Sequence, residues 1–130
     1  MLSRVMTDED LANYLRARGW GGNSIPLGIK QDFRCVYCGR DLLQSIAAYD
    51  CWTVDHIDPT VRGPERDAQE NTAVACKLCN FIKRAYNPKG DTKAERLDSA
   101  KGRVTEGRQR KQAVLDALVQ AVTAWRQNRG

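Results

Sequence analysis

No apolar run in this chain of 130 residues approaches the roughly 20 residues that span a membrane, which excludes a transmembrane helix. No signal peptide opens the chain, so we expect a cytoplasmic protein, where disulfide bonds are rare. Internal repeats and low-complexity segments are missing as well. With two Phe and three Trp the core is modest and benefits from a bound metal. Histidine is scarcest of all, because His56 is the only one.

Positive charge is in excess, and it is unevenly distributed. The chain is 42% hydrophobic and 28% charged, which is ordinary for a soluble protein, and its length predicts one domain over residues 1–130. The net charge is +5, and from residue 80 onward 12 Lys/Arg stand against 5 Asp/Glu. A basic C-terminal half suits the phosphate backbone of a nucleic acid. Charge alone is better explained by a solvated helix surface, and it favours a nucleic acid only together with a nuclease motif.

Five cysteines in a reducing compartment predict a metal site. They form the pairs Cys35/Cys38 and Cys76/Cys79, and Cys51 is left over. Two-residue spacing lets both sulfurs of a pair converge on one ion, and four thiolates leave no open position for a substrate. We therefore predict a structural zinc site. Cys51 is interpreted as a buried strand residue and not as a fifth ligand.

Local patterns predict short elements in the first half of the chain. A helix begins at the N-cap Thr7, and Gly39 after the first cysteine pair suits a left-handed turn. The expected elements are a helix over residues 7–18, a loop over 19–26, a short strand over 29–34, one or two helical turns within 41–49 and a strand over 51–57.

The second half is predicted to hold one more strand and more helix. We expect a polar loop over 60–69, a strand over 71–76, a helix from Cys76 to about Tyr86, and a helix that starts at a Thr92/Glu95 capping box. Gly102 or Gly107 is expected to break that helix. The last helix could lie across DNA or form a dimer, but we expect it to pack on the chain's own core. Its apolar residues recur at helical spacing: Val114, Leu115, Leu118, Val119, Val122 and Trp125.

The Asp55-His56 dipeptide lies between the two cysteine pairs and carries the candidate chemistry. Hydrolysis of a phosphodiester needs a base that activates water and a divalent cation at the phosphate. A histidine suits the base, and the oxygens of Asp55 and Asn80 suit Mg²⁺ or Mn²⁺. Neighbouring strand residues point to opposite faces, so Asp55 and His56 share one site only if the strand ends or twists there. An isolated histidine would be interpreted as structural.

Together these motifs resemble the HNH endonucleases. The resemblance covers about residues 33–86, and it implies an α+β protein with a zinc-stabilised ββα-metal core and flanking helices near 7–18 and 91–129. It also implies that His56 is the general base, that Asp55 binds the catalytic metal and that Asn71 braces the loop of the site, although a plain turn residue explains Asn71 almost as well. The residues that carry it are Cys35-Val36-Tyr37-Cys38-Gly39, Val54-Asp55-His56-Ile57-Asp58-Pro59, Glu70-Asn71 and Ala75-Cys76-Lys77-Leu78-Cys79-Asn80-Phe81-Ile82-Lys83.

The sequence departs from the family pattern in two places. Asn80 stands where histidine is common, so the chain is similar to the H-N-N variant, in which the asparagine carbonyl would be the second metal ligand. Arg62-Gly63-Pro64 stands where a double glycine is common. Lys83 follows one helical turn after Asn80 and is predicted to contact phosphate. The full set of predicted nucleic-acid contacts is Lys83, Arg84, Arg103, Arg108, Arg110 and Lys111.

We therefore predict a DNA endonuclease with a structural Zn²⁺ and a catalytic Mg²⁺ or Mn²⁺. The resemblance implies products with a 5′ phosphate and a 3′ hydroxyl. The rival hypothesis is a non-catalytic zinc module that binds DNA or a protein, and an RNase is a lesser rival. The chain lacks an obvious sequence-reading module, which indicates weak specificity or a protein partner that supplies it. Whether the protein is a monomer or a dimer stays open.

Overall fold

The computed structural model describes residues 5–129 as an α+β protein around a two-stranded antiparallel sheet. The predicted ββα order is confirmed, because two strands are followed directly by a helix. In that part of the chain, no helix is both long and apolar enough to span a membrane. The elements are α1 Asp8–Ala17, α2 Ser24–Lys30, α3 Ile46–Tyr49, β1 Trp52–His56, β2 Thr72–Cys76, α4 Lys77–Lys83 and α5 Lys93–Asn128, with short 3₁₀ turns at Gly63–Asp67 and Gln69–Asn71 in the polar loop between the strands.

Strand β2 lies at the centre of the core. It pairs with β1 in a register that sets Trp52 opposite Cys76 and His56 opposite Thr72. All five residues of β2 are buried, which explains its uninterrupted apolar and small side chains. On its other edge the amide of Gln31 makes two hydrogen bonds of 2.9 Å with the backbone N–H and C=O of Val74.

The predicted loop is confirmed over residues 19–23 and wrong beyond them, and the predicted strand over 29–34 is wrong, because helix α2 occupies Ser24–Lys30. Proline at the third position does not disturb a helix, since the first turn has no intrahelical partner for its N–H groups. Beyond α2, Arg34 forms only an isolated bridge to Asp41.

Long-range aromatic packing explains why local patterns failed in this region. The ring centroid of Trp20 lies 5.1 Å from that of Trp52 and 6.1 Å from that of Phe33. Gly28 of α2 faces the same cluster so closely that a Cβ there would lie 2.9 Å from the Phe33 ring. The hydrophobic contacts of α2 with β1 thus outweigh the turn-forming residues that precede it.

Helix α5 runs without a break over 36 residues, so the expected break at Gly102 or Gly107 is wrong. Its start confirms the predicted capping box of Thr92 and Glu95. Gly107 has a packing role, because a Cβ there would lie 2.3 Å from Cγ2 of Ile82 on α4. Glycine therefore lets the two helices approach closely.

The expectation that the last helix packs on the chain's own core is also wrong. Ala100 and Val104 in the first half of α5 are buried. Every residue from 109 to 129 is exposed. The second half of α5 therefore extends away from the core with its apolar side chains in solvent.

Candidate functional site

The four paired cysteines form a cluster. Cys35 and Cys38 lie on a tight turn that Gly39 closes with a φ of +75°, Cys76 ends β2, and Cys79 lies in the first turn of α4. Their four Sγ atoms all lie within 4.8 Å of one another. Tetrahedral zinc with Zn–S bonds of about 2.3 Å needs S···S distances of roughly 3.8 Å. The cluster can therefore hold zinc, and it ties the turn, β2 and α4 together.

Arg108 lies next to the cysteine cluster. Nη1 of Arg108, on α5, lies 3.4 Å from Sγ of Cys79. Its positive charge offsets the excess negative charge that four thiolates place around a divalent ion. Cys51 lies outside the cluster. Its interpretation as a buried strand residue is wrong, because Cys51 is half-buried and directly precedes β1.

Asp55 is buried on the face of β1 that α4 covers. Its side chain is 4% exposed; Oδ2 accepts a 2.5 Å hydrogen bond from the Tyr37 hydroxyl, and Oδ1 lies 3.4 Å from Nζ of Lys83. Lys83 also donates a 3.0 Å hydrogen bond to the backbone oxygen of His56. Burial raises the pKa of Asp55, while the hydrogen bond from Tyr37 and the charge of Lys83 act in the opposite direction.

His56 faces the other side of the sheet. Its Nε2 lies 2.7 Å from Oδ1 of Asp67, and its side chain is 28% exposed. Asp67 ends the 3₁₀ turn of the loop, and Asn23 donates hydrogen bonds to the Asp67 backbone oxygen and to Oγ1 of Thr72. Sequence reasoning missed Asp67, because nothing in a polar loop distinguishes it from its acidic neighbours.

Asn71 connects the two sides of the loop. Its Oδ1 accepts from the Asp58 N–H at 2.9 Å, and its Nδ2 donates to the backbone oxygens of Asp58 and Arg66 at 3.2 and 3.1 Å. The side chain is buried among these groups. This is the arrangement that a residue bracing the loop requires.

Asn80 lies with Asp55 and not with His56. Its Nδ2 donates a 3.1 Å hydrogen bond to Oγ1 of Thr53, which shares a strand face with Asp55. The strand does not end before His56, because that residue still pairs with Thr72. The structure thus brings Asp55, Asn80 and Lys83 together on one face and leaves His56 on the other.

The predicted cation site is chemically suitable but occupied by protein groups. The oxygens of Asp55 and Asn80 are ligands that Mg²⁺ accepts. Both oxygens of Asp55, however, already have partners, and one of these is the buried ammonium of Lys83. A divalent cation and this ammonium would repel each other at one carboxylate. The residues in this arrangement therefore do not fit a cation at Asp55.

The six predicted nucleic-acid contacts have three different kinds of surroundings. Lys83 is buried and Arg108 is turned to Cys79, so neither side chain is free for a phosphate. Arg110 is exposed on α5. The other three lie over aromatic rings: Arg84 at 4.0 Å and Lys111 at 5.8 Å from the Phe81 centroid, and Arg103 at 5.0 Å from that of Tyr86. We call these three cations and two rings the cationic-aromatic patch: Phe81 lies on α4, Arg84 and Tyr86 follow α4, and Arg103 and Lys111 lie on α5.

Residues 35–85 match a protein-family model described as HNH endonuclease. This segment contains the four clustered cysteines, both strands, Asp55, His56 and α4. The resemblance drawn from the motifs is therefore confirmed for this part of the chain. The comparison with curated proteins found no match, and the comparison with solved structures found none either.

Proposed function

We propose that this chain, which carries an HNH domain over residues 35–85, is a DNA endonuclease that uses His56 as its general base. The observation that supports the proposal is the pair of His56 and Asp67. It combines an imidazole held at 2.7 Å by a carboxylate with enough exposure for a substrate to reach it. His56 is also the only histidine that the chain offers.

Asp67 determines which ring nitrogen of His56 is basic. A carboxylate next to Nε2 favours the tautomer that carries its proton there, which leaves the lone pair on Nδ1. Among residues 5–129, Nε2 is the only ring nitrogen of His56 with a hydrogen-bond partner. Nδ1 is therefore the atom that takes the proton of the attacking water.

The reaction that follows is an in-line hydrolysis. The water oxygen bonds to phosphorus as Nδ1 accepts its proton, and the bond from phosphorus to the 3′ oxygen breaks. The 3′ oxygen takes a proton from solvent, and the imidazolium of His56 returns its proton to solvent. The products carry a 5′ phosphate and a 3′ hydroxyl.

A divalent cation, when bound, would stabilise negative charge on the phosphate and on the leaving oxygen. Asp55 and Asn80 are the donors that the sequence predicts, but the buried ammonium of Lys83 at the Asp55 carboxylate does not fit a cation there. Cleavage with and without Mg²⁺ or Mn²⁺ measures whether the reaction requires a cation.

The cationic-aromatic patch supports a nucleic acid as the substrate. Phe81 is 54% exposed with a guanidinium and an ammonium over its ring. Exposed aromatic rings flanked by positive charge suit the bases and phosphates of nucleic acids. The patch belongs in part to α4, the helix that also carries Asn80 and Lys83.

The burial of Asp55 favours a second candidate function, a zinc module that binds DNA without cleaving it. A carboxylate neutralised by a buried lysine stabilises the fold without contacting a cation. This candidate predicts DNA binding that does not depend on His56.

The deciding experiment incubates the zinc-loaded chain with supercoiled plasmid in Mg²⁺, Mn²⁺ or EDTA. His56→Ala is assayed in parallel, and zinc content is measured in every arm so that loss of the structural ion is recognised. We expect nicking or linearisation with Mg²⁺ or Mn²⁺ that disappears in EDTA and in His56→Ala. An RNA substrate under the same conditions separates a DNase from an RNase. Full cleavage by His56→Ala would remove the proposal, and binding without cleavage would favour the zinc module.

A further inference from the structure

The second half of α5 presents a long apolar surface to solvent. Its large apolar side chains, Val114, Leu115, Leu118, Val119, Val122 and Trp125, are between 38% and 61% exposed. The polar residues Gln112, Asp116, Gln120, Thr123 and Gln127 recur at spacings of three and four and form a narrow face opposite them. We call the six apolar residues the α5 stripe.

A helix of this kind needs a covering partner. Residues 109–128 extend over roughly 30 Å, and every one of them is exposed. Helices in proteins owe most of their stability to packing of the apolar side, and large exposed apolar patches mark interaction surfaces. The α5 stripe is therefore a docking surface.

Part of the α5 stripe has the spacing that is typical of helices that pair with each other. Leu115, Leu118, Val122 and Trp125 follow one another at spacings of three, four and three and form an apolar seam. Seven residues per two turns is the repeat of a helix pair. The seam begins at Leu115, because the two preceding positions of the same repeat are Arg108 and Lys111.

The size of the α5 stripe fits a second copy of the chain. No charged residue belongs to the stripe, and two identical apolar stripes complement each other across a twofold axis. Stable dimers bury about 800 Å² per partner, and six large, half-exposed side chains along this length supply an area of that order.

We propose that the α5 stripe joins two copies of this chain. The pairing is independent of whether the chain cleaves DNA.

Sedimentation equilibrium of the full-length, zinc-loaded chain over the micromolar range tests the proposal. We expect a species of twice the 14.6 kDa chain mass. Leu118→Glu should sediment as the monomer, because it buries a charge at the seam. The matched control Gln120→Glu, on the polar face, should remain dimeric. A wild-type monomer throughout this range, a larger assembly, or the same mass for both variants would overturn the proposal.

Amide hydrogen exchange gives a second measurement that does not depend on mass. Residues 109–128 should be protected in the wild type and exchange rapidly in Leu118→Glu, because an isolated helix of this length is marginal. Residues 93–104, which pack on the core, should stay protected in both. Equal protection of residues 109–128 in both proteins would show that they need no partner.

Discussion

Nζ of Lys83 lies 3.4 Å from Oδ1 of Asp55, and neither side chain is more than 4% exposed. Lys83 therefore neutralises the carboxylate that the family resemblance assigns to a catalytic cation. It also donates a hydrogen bond to the backbone oxygen of His56, the proposed base. One lysine thus connects α4 both to the Asp55 side chain and to the backbone of His56 at the end of β1.

Removing Lys83 alone should destabilise the protein severely. Lys83→Met leaves Asp55 as a buried charge without its cation, and such changes typically cost about 3–5 kcal/mol of unfolding free energy. Chemical denaturation of the zinc-loaded protein measures the loss. Lys101→Met is the control, because that lysine is exposed and should shift the free energy by less than about 0.5 kcal/mol. A double variant with Asp55→Asn should recover much of the loss; no recovery would show that Lys83 stabilises the fold by packing alone.

Asp67→Asn should slow cleavage without weakening DNA binding. The amide no longer favours the tautomer with its proton on Nε2 of His56, and we expect a loss of roughly a hundredfold in the single-turnover rate. KM should stay near the wild-type value, since Asp67 contacts His56 and not the DNA. Glu65→Gln on the same 3₁₀ turn is the matched control and should cleave normally. A normal rate for Asp67→Asn would exclude an orienting role.

Arg108→Gln should lower the affinity of the cysteine cluster for zinc. The guanidinium lies 3.4 Å from Sγ of Cys79, and loss of such an outer partner typically lowers metal affinity by about 10–100-fold. Zinc release to a chromophoric chelator measures the effect. Arg110→Gln, on exposed surface, should release zinc at the wild-type rate. Identical release from both variants would contradict the assignment.

Gly107→Ala and Gly102→Ala should change stability in opposite directions. At Gly107 an added Cβ would meet Ile82 at 2.3 Å, and overpacking of this kind costs about 1–3 kcal/mol. At Gly102 the space is open, and alanine should stabilise the helix by about 0.5–1 kcal/mol. Thermal unfolding of the two variants compares them directly. Stabilisation by both would mean that α4 and α5 do not approach closely in solution.

The start of α5 should weaken in acid. Hydrogen bonds from the backbone N–H groups of Asp91 and Thr92 lower the pKa of Glu95 below its ordinary 4.5. Because the folded pKa is the lower one, this contribution is complete above pH 4.5 and is lost as the pH falls through the folded value. Glu95→Gln should remove that part of the pH dependence, seen as a smaller fall of Tm below pH 4.5 than in the wild type. Parallel Tm curves would contradict the prediction.

The HNH core was predictable because its signals are local. Cys76 and Cys79 are two residues apart in the sequence, alternation in residues 51–57 marks β1, and the Thr92/Glu95 capping box marks the start of α5. Each pattern is a property of a few neighbouring residues, and each was confirmed. The spacing of Asn80 and Lys83 also placed them correctly on one face of α4.

The predictions that failed, and the residue that was missed, concern positions whose surroundings depend on contacts between distant segments. Gly107 breaks a helix in isolation, yet here it lets α5 approach Ile82. The spacing of Lys83 does not reveal whether its face of α4 points to solvent or to Asp55. Asp67 reaches His56 only because the loop folds back, and that path is not encoded in a short motif.

The side chain of Gln31 has a consequence for association through the sheet. A two-stranded sheet leaves an unpaired strand edge, and such edges recruit extended segments of other chains and promote aggregation. At Val74 the Gln31 amide imitates a neighbouring strand by satisfying both the N–H and the C=O, and Val36 adds a further 3.0 Å hydrogen bond to the same oxygen. The sheet is thereby closed to strand addition at its most buried strand.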